Sequence, residues 1–195
     1  VLYAYTKTLL EKQGVADGVS FLDVGCGGGN VAGMVAEMVG AKGSVTAVDF
    51  DESIIALAEN DRVAAGRQNM RFEVMSAYDL SFSGEFDVVY ARFLLSHVKE
   101  PGKVLQLMRQ ALKPGGKIII EDVQFSGHFC YPACAAFGEY LRLYAAAARN
   151  NGADPEIGPG LPSLLQGAGL QHIDFDLIQP CFSAGAGKWM AYLTL

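Results

Sequence analysis

Phe21-Leu22-Asp23-Val24-Gly25-Cys26-Gly27-Gly28-Gly29-Asn30 is the stretch that decides the fold. It is an apolar strand that ends in an acidic residue and runs into glycines at alternate positions. About twenty residues further on, a second short strand, Val45-Thr46-Ala47-Val48, ends in Asp49. One carboxylate closes each of two neighbouring strands, and a glycine-rich turn lies between the first strand and its helix. That is the geometry of a nucleoside-binding site at the carboxyl edge of a parallel sheet.

The spacing narrows the kind of nucleotide. A dinucleotide fingerprint, G-x-G-x-x-G, needs a third glycine for close packing of helix on strand. Counted from Gly25, that position is Asn30, so the pattern fails there. What remains is D-x-G-x-G-x-G, carried by Asp23, Gly25, Gly27 and Gly29. Glycines without a Cβ let a ligand lie directly against the backbone. The helix expected over residues 30–39 points free N–H groups at the same place, where a carboxylate or a phosphate is equally welcome.

Working outward, apolar runs alternate with amphipathic stretches. Residues 2–13 have helical spacing, with Gly14 as a stop. Strands are expected at 20–24, 45–49, 70–75 and 86–91. Asp51 suits the N-cap of a helix at 53–65. Pro101 suits the first turn of another helix, whose stripe is Val104, Leu105, Met108 and Leu112. This order implies parallel β-α-β units with right-handed crossovers, hence a doubly wound, three-layer α/β/α sheet. After Val123 the pattern loosens into an aromatic loop at 124–132, a helix at 133–149, a turn at 158–162, a short helix, and a strand expected at 171–178.

The glycine run resembles motif I of the class I S-adenosylmethionine (SAM)-dependent methyltransferases, and residues 45–49 resemble the strand that follows it. Two later blocks match in order. Glu85-Phe86-Asp87-Val88-Val89-Tyr90-Ala91 is similar to the family's fourth strand. Leu112-Lys113-Pro114-Gly115-Gly116-Lys117-Ile118-Ile119-Ile120-Glu121 is similar to its LKPGG turn and fifth strand. The resemblance spans residues 20–123.

It implies a Rossmann-like, mostly parallel sheet of order 3-2-1-4-5-(7)-6, and a single domain. The parts would be an N-terminal helix (1–19), a SAM-binding core (20–123), a substrate-contacting lid insertion (124–170) and a C-terminal strand region (171–195). It implies methyl transfer from SAM to a small-molecule acceptor by in-line displacement. Gly25 and Gly27 would meet the methionine portion and Asp23 would fix the loop. Asp49 would accept hydrogen bonds from both ribose hydroxyls, and Phe50 would lie against adenine.

In many relatives an aspartate beyond the third strand meets the adenine amino group. Here Ser76 stands at that position, followed by Ala77, Tyr78 and Asp79. Arg92, just past the fourth strand, is a candidate for the cofactor carboxylate, for a substrate or for a surface acid. His128, His97 and, as a structural residue, His172 are the histidines to weigh as general bases. The family usually ends in a hairpin whose last strand lies between the fifth and sixth. After Pro180 only a short stretch remains, so either that edge is incomplete or a partner chain covers it, as in a homodimer.

Composition sets further bounds. At 195 residues, one domain with a sizeable core is the economical reading. The 51% hydrophobic and 18% charged fractions suit strands covered on both faces. A net charge of −6 with no Lys/Arg cluster disfavours nucleic acid. No apolar run reaches the roughly 18 residues of a membrane span. Cys26, Cys130, Cys134 and Cys181 show no C-x-x-C pair. Cys130 and Cys134, at i, i+4 spacing, could share a helix face as metal ligands. Free thiols in a reducing cytoplasm are the default, and no metal is expected.

Three subclasses are set aside. The fourth strand is followed by no N/D-P-P-Y/F and no Pro-Cys, and no carboxylate cluster for metal-assisted O-methylation stands out. Two other functions stay open: a SAM-binding interaction module without catalysis, and a nicotinamide-dependent reductase on a similar sheet.

Overall fold

The computed structural model describes residues 2–181. Five parallel strands, β1 (Ser20–Val24), β2 (Ser44–Asp49), β3 (Met70–Val74), β4 (Phe86–Arg92) and β5 (Leu112–Glu121), stand in the order β3-β2-β1-β4-β5. Six helices accompany them: α1 (Tyr3–Lys12), α2 (Asn30–Val39), α3 (Glu52–Ala64), α4 (Pro101–Ala111), α5 (Ala135–Asn150) and α6 (Leu161–Gly167). The order doubles back at β1, whose neighbours are β2 and β4. The carboxyl end of β1 is therefore the switch point where such sheets leave a crevice.

The side-chain phase of each strand builds two cores. Phe21, Val45, Ala47, Val88, Tyr90 and Ile119 join Leu10 of α1 and the buried face of α2. Leu22, Val24, Val48, Val89 and Ala91 join Val104, Leu105 and Met108 of α4 on the opposite side. Successive residues of a strand face opposite ways, and both faces are covered, so the strands read as continuous apolar runs. Asp51 caps α3, accepting from the Ser53 and Ile54 N–H groups.

The amino ends of β1, β4 and β5 are clasped by one polar cluster. Asp87 Oδ2 accepts from the Ser20 amide (2.9 Å), the Ser20 hydroxyl and Lys113 Nζ (2.9 Å). Partial burial raises the Asp87 pKa, but the Ser20 donors and Lys113 outweigh it and hold the carboxyl at about 2. A depressed carboxylate contributes stability above its unfolded pKa of 3.8 and loses it as pH falls through the folded value. The carboxylate is 41% exposed, so its contribution is about 1 kcal/mol or less. We expect Asp87→Asn to be less stable than the parent at pH 7 by about that amount. Chemical denaturation at a series of pH values should show the gap closing between pH 3.8 and about 2. A gap that is unchanged over that range counts against the clasp.

Several sequence expectations change. Residues 171–178 do not form a strand: the backbone there is irregular, with His172 in a left-handed conformation. Phe175 and Leu177 are 79% and 84% exposed. At the surface Asp176 pairs with Lys12 of α1 and Gln179 donates to the Gly127 carbonyl, and no described strand offers the alternating pattern a ladder. Among the described residues β5 is thus the sheet edge. After β4 the chain makes one 3-10 turn, Leu95–His97, with His97 exposed. Cys130 and Cys134 do not share a helix face, because α5 begins only after Cys134. The lysine-proline-glycine run is a bulge within β5: pairing jumps from Phe86↔Leu112 to Val88↔Lys117. Of the short stretch after Pro180, residues 182–195 lie outside the described residues.

Candidate functional site

Strand phase alone gathers the polar residues. Asp23 shares a face with Phe21, Asp49 with Val45 and Ala47, Arg92 with Val88 and Tyr90, and Glu121 with Ile119. Asp23 lies beside Tyr90 in the register, and Arg92 beside Glu121. Asp23, Asp49, Tyr90, Arg92 and Glu121 therefore stand on one face of the sheet, at its carboxyl ends.

The glycine loop is tied to β2. The Gly25 and Cys26 amides donate to the Val48 carbonyl at 2.8 and 3.0 Å. The Gly27 amide donates to Asp49 Oδ2 at 2.9 Å, and Asp49 Oδ1 accepts from the Asp51 amide at 3.1 Å. Each Asp49 oxygen thus uses one lone pair on backbone and keeps another for a ligand donor. A Cβ placed on Gly27 or Gly28 would meet nothing within 4 Å, so the loop leaves open space there. At Gly25 the space is closed: a Cβ would lie 2.9 Å from Leu94 Cδ1. Leu94, from the turn after β4, packs over the start of the loop.

Asp23 is 2% exposed, and its Oδ2 has no hydrogen-bond partner among the described residues. Burial pushes its carboxyl up to about 7, with Arg92 pulling it down and Asp49 pushing it further up. A cationic ligand group would relieve both the burial and the missing partner. Arg92 is half-buried, donates to Thr6 Oγ1 at 3.3 Å and lies over the Phe93 ring at 5.7 Å. Burial, Asp23 and Asp49 together raise the Cys26 thiol well above its ordinary value, so it is neutral in the loop.

The other sequence candidates stand outside this polar group. Phe50 follows Asp49 and is 79% exposed, a free ring face at the end of β2. Ser76 and Ala77 follow β3, whose Val74 is paired with Asp49. The Ser76 hydroxyl accepts from the Tyr78 amide at 3.1 Å, which leaves its own O–H to donate. Asp79 is exposed, its amide donating to the Ser76 carbonyl. His128 hydrogen-bonds through Nδ1 to the Phe125 carbonyl at 2.8 Å. A carbonyl only accepts, so Nδ1 carries a proton, and in the neutral ring the lone pair is then on Nε2. The ring packs near Phe125, which stacks on Tyr144 at 4.0 Å. His172 lies in the irregular segment after α6.

Sequence reasoning missed Tyr90, Glu121 and Thr6. The phase of β4 and β5 carries a signal for the first two. Nothing in the local sequence signals that Thr6 reaches the same place. No group of three or more His, Cys, Asp or Glu able to hold a metal is present among the described residues. Nor is any described helix long and apolar enough to cross a membrane.

Comparison with known proteins agrees with this geometry. A family model described as a methyltransferase domain matches residues 16–152. A demethylmenaquinone methyltransferase of Shouchella clausii is 36% identical over 117 residues, covering 60% of this chain and 50% of that protein. A ubiquinone biosynthesis O-methyltransferase of Pseudomonas paraeruginosa is 32% identical over 116 residues, covering 58% and 47%. The chain spans about half the length of these curated relatives. Among solved structures, a SAM-dependent methyltransferase from Aquifex aeolicus superposes with a TM-score of 0.60 at 23% identity, covering 73% of this chain and 77% of that one. A Haemonchus contortus phosphoethanolamine N-methyltransferase 2, in complex with phosphomonomethylethanolamine and S-adenosylhomocysteine, gives 0.70 at 23% identity, covering 88% and 38%. At that identity the likeness establishes the fold.

Proposed function

Because the chain belongs to the methyltransferase-domain family, on the Rossmann-like α/β fold, we propose that it transfers a methyl group from SAM to a small-molecule acceptor. The observation that carries this reading is the Gly27–Asp49 hydrogen bond beside open space at Gly27 and Gly28, with an unpartnered Asp23 oxygen nearby. A donor with a ribose diol at one end and an ammonium at the other fits those groups. SAM, when bound, supplies a methyl on a positively charged sulfur, already activated for in-line displacement.

The residues of this chain hold and orient the donor. Asp49 takes the ribose hydroxyls on its two remaining lone pairs. Phe50 offers a face to the base, and Ser76 and Ala77 border its edge. Gly27 leaves backbone access along the methionine portion, and Gly25 makes the turn beneath Leu94 that leads to it. Asp23 meets the amino group and Arg92 the carboxylate. Leu94 screens the start of the loop from water. Holding donor and acceptor at near-attack geometry accounts for most of the catalysis in such a transfer.

Residues 20–123 form the donor-binding core in this reading, and residues 124–170 carry the acceptor side. The two curated relatives are named for demethylmenaquinone and for ubiquinone biosynthesis. A hydroxylated aromatic acceptor suits the Phe125, Tyr144 and His128 cluster, with His128 Nε2 able to take the hydroxyl proton.

Calorimetric titration with SAM and, in parallel, with NADH tests the donor. Saturable SAM binding without NADH binding is the expected result, followed by turnover with a hydroxylated aromatic ring. NADH binding without SAM binding would replace this reading with a reductase. SAM binding with no turnover across a broad acceptor panel would leave a binding module.

A further inference from the structure

Helix α1 is largely exposed, and only Thr6 and Leu10 of it are buried. Leu10 packs into the apolar core with Phe21 and Tyr90. Thr6 is also fully buried, where a valine of equal shape would avoid burying a hydroxyl. Its hydroxyl sits 3.1 Å from Glu121 Oε2 and 3.3 Å from Arg92 Nη1. A hydroxyl has one proton, a carboxylate only accepts and a guanidinium only donates, so the directions are fixed. Thr6 donates to Glu121 and accepts from Arg92. The other Glu121 oxygen is taken by the Tyr90 hydroxyl.

The consequence falls on Arg92. Its neighbour in the sheet register is Glu121, yet the two form no ion pair. The Thr6 hydroxyl stands between them, giving its proton to Glu121 and taking an N–H from Arg92, while the Tyr90 hydroxyl holds the other Glu121 oxygen. Arg92 spends one N–H on Thr6, and its other donors have no acceptor among the described residues. A half-buried guanidinium that forms no ion pair with its register neighbour Glu121 is available to an anion brought by a ligand.

Resting on the donor assignment above, we propose that Thr6 of α1 is a positioning residue: by separating Arg92 from Glu121, it keeps the guanidinium free for the carboxylate at the amino-acid end of the donor. In Thr6→Val the bridging hydroxyl is gone, one Glu121 oxygen is released, and Arg92 is free to pair with it instead of with ligand. Helix α1 is then part of the binding site as well as of the core.

Two ligands separate this role from a merely structural one. S-adenosylhomocysteine carries the amino-acid end, whereas 5′-methylthioadenosine has the same nucleoside and thioether without it. Calorimetry should show Thr6→Val weakening S-adenosylhomocysteine about tenfold, the scale of one charge-assisted hydrogen bond. Methylthioadenosine binding should stay within about twofold, the nucleoside contacts being remote from Thr6. Thr6→Ser should restore the parent values. Equal weakening of both ligands, or of neither, overturns the role of Thr6. Should Thr6→Val not fold, Arg92→Gln must show the same selective loss, and an unselective one overturns the proposal. A parent protein that binds neither ligand overturns the donor assignment itself.

Discussion

Asp49→Ala is expected to weaken S-adenosylhomocysteine binding by about 30- to 1000-fold, the largest effect of any single side chain in the site. The carboxylate serves two ends. Towards the protein it accepts from the Gly27 and Asp51 amides, which sets the height of the glycine loop. Towards the ligand it offers the two remaining lone pairs to the ribose hydroxyls. Hydrogen bonds to a charged acceptor are worth about 1.5–3 kcal/mol each when lost, and each 1.4 kcal/mol is tenfold in affinity. Two such bonds, only partly replaced by water, give about 2–4 kcal/mol. Asp49→Asn separates the two ends. Its amide oxygen can still accept from Gly27, but its NH2 group gives up the bond from the Asp51 amide and can accept from no ribose hydroxyl, so the Gly27 tie survives while ribose affinity falls. The measurement is calorimetry, with amide hydrogen exchange at Gly27 reporting the loop. If Asp49→Ala loses less than about threefold, well under one charge-assisted bond, the ribose role is wrong.

The expectation for Asp49 was readable in the sequence because it depends on local pattern. An apolar run closed by an acid, glycines at alternate positions and a second acid-terminated run fix two strand ends and the turn between them. The strand order then puts those ends side by side, and the sheet has that order from β3 to β5. What the sequence concealed depends on which distant element covers what. Thr6 meets Glu121 across 115 positions of chain, and no periodicity in α1 marks it as different from any polar residue of an amphipathic helix. Leu94 over Gly25 is a contact made by a turn, where patterning is weakest. Residues 171–178 fail in the opposite direction. Ile173, Phe175 and Leu177 alternate with Asp174 and Asp176 as a half-buried strand does, but alternation states a preference for pairing and supplies no partner. In the described chain the segment instead lies beside α1, with Asp176 paired to Lys12 at the surface.

Gly29→Ala is the second large effect, and it is expected first in stability. Gly29 immediately precedes α2 with φ +73°, a left-handed conformation that costs an L-residue about 1–2 kcal/mol. Sterics add to this. A Cβ there would lie 2.5 Å from Phe72 Cζ and 3.4 Å from Ala58 Cβ, so the β3 ring would have to leave its place between α2 and α3. Forcing a methyl into such packing typically costs about 1–3 kcal/mol. Together these give about 3 kcal/mol, or a fall in Tm of about 6–12 °C for a chain of this size. The chain can escape only by moving the start of α2. That start also holds the Gly29 amide on the Cys26 carbonyl and the Gly33 amide on the Gly29 carbonyl. Movement there displaces Gly27 from Asp49, so donor affinity should fall along with Tm. Gly28→Ala is the control: its Cβ would meet nothing within 4 Å, and its φ is not positive. It should change Tm by less than about 2 °C, as expected of an unstrained surface substitution. It should still weaken the donor if the open space at the loop is where the ligand lies. Thermal melts of the two variants, with and without S-adenosylhomocysteine, separate the strain at Gly29 from the ligand space at Gly28. Equal melts for both would mean that the left-handed turn and the Phe72 contact do not hold the loop.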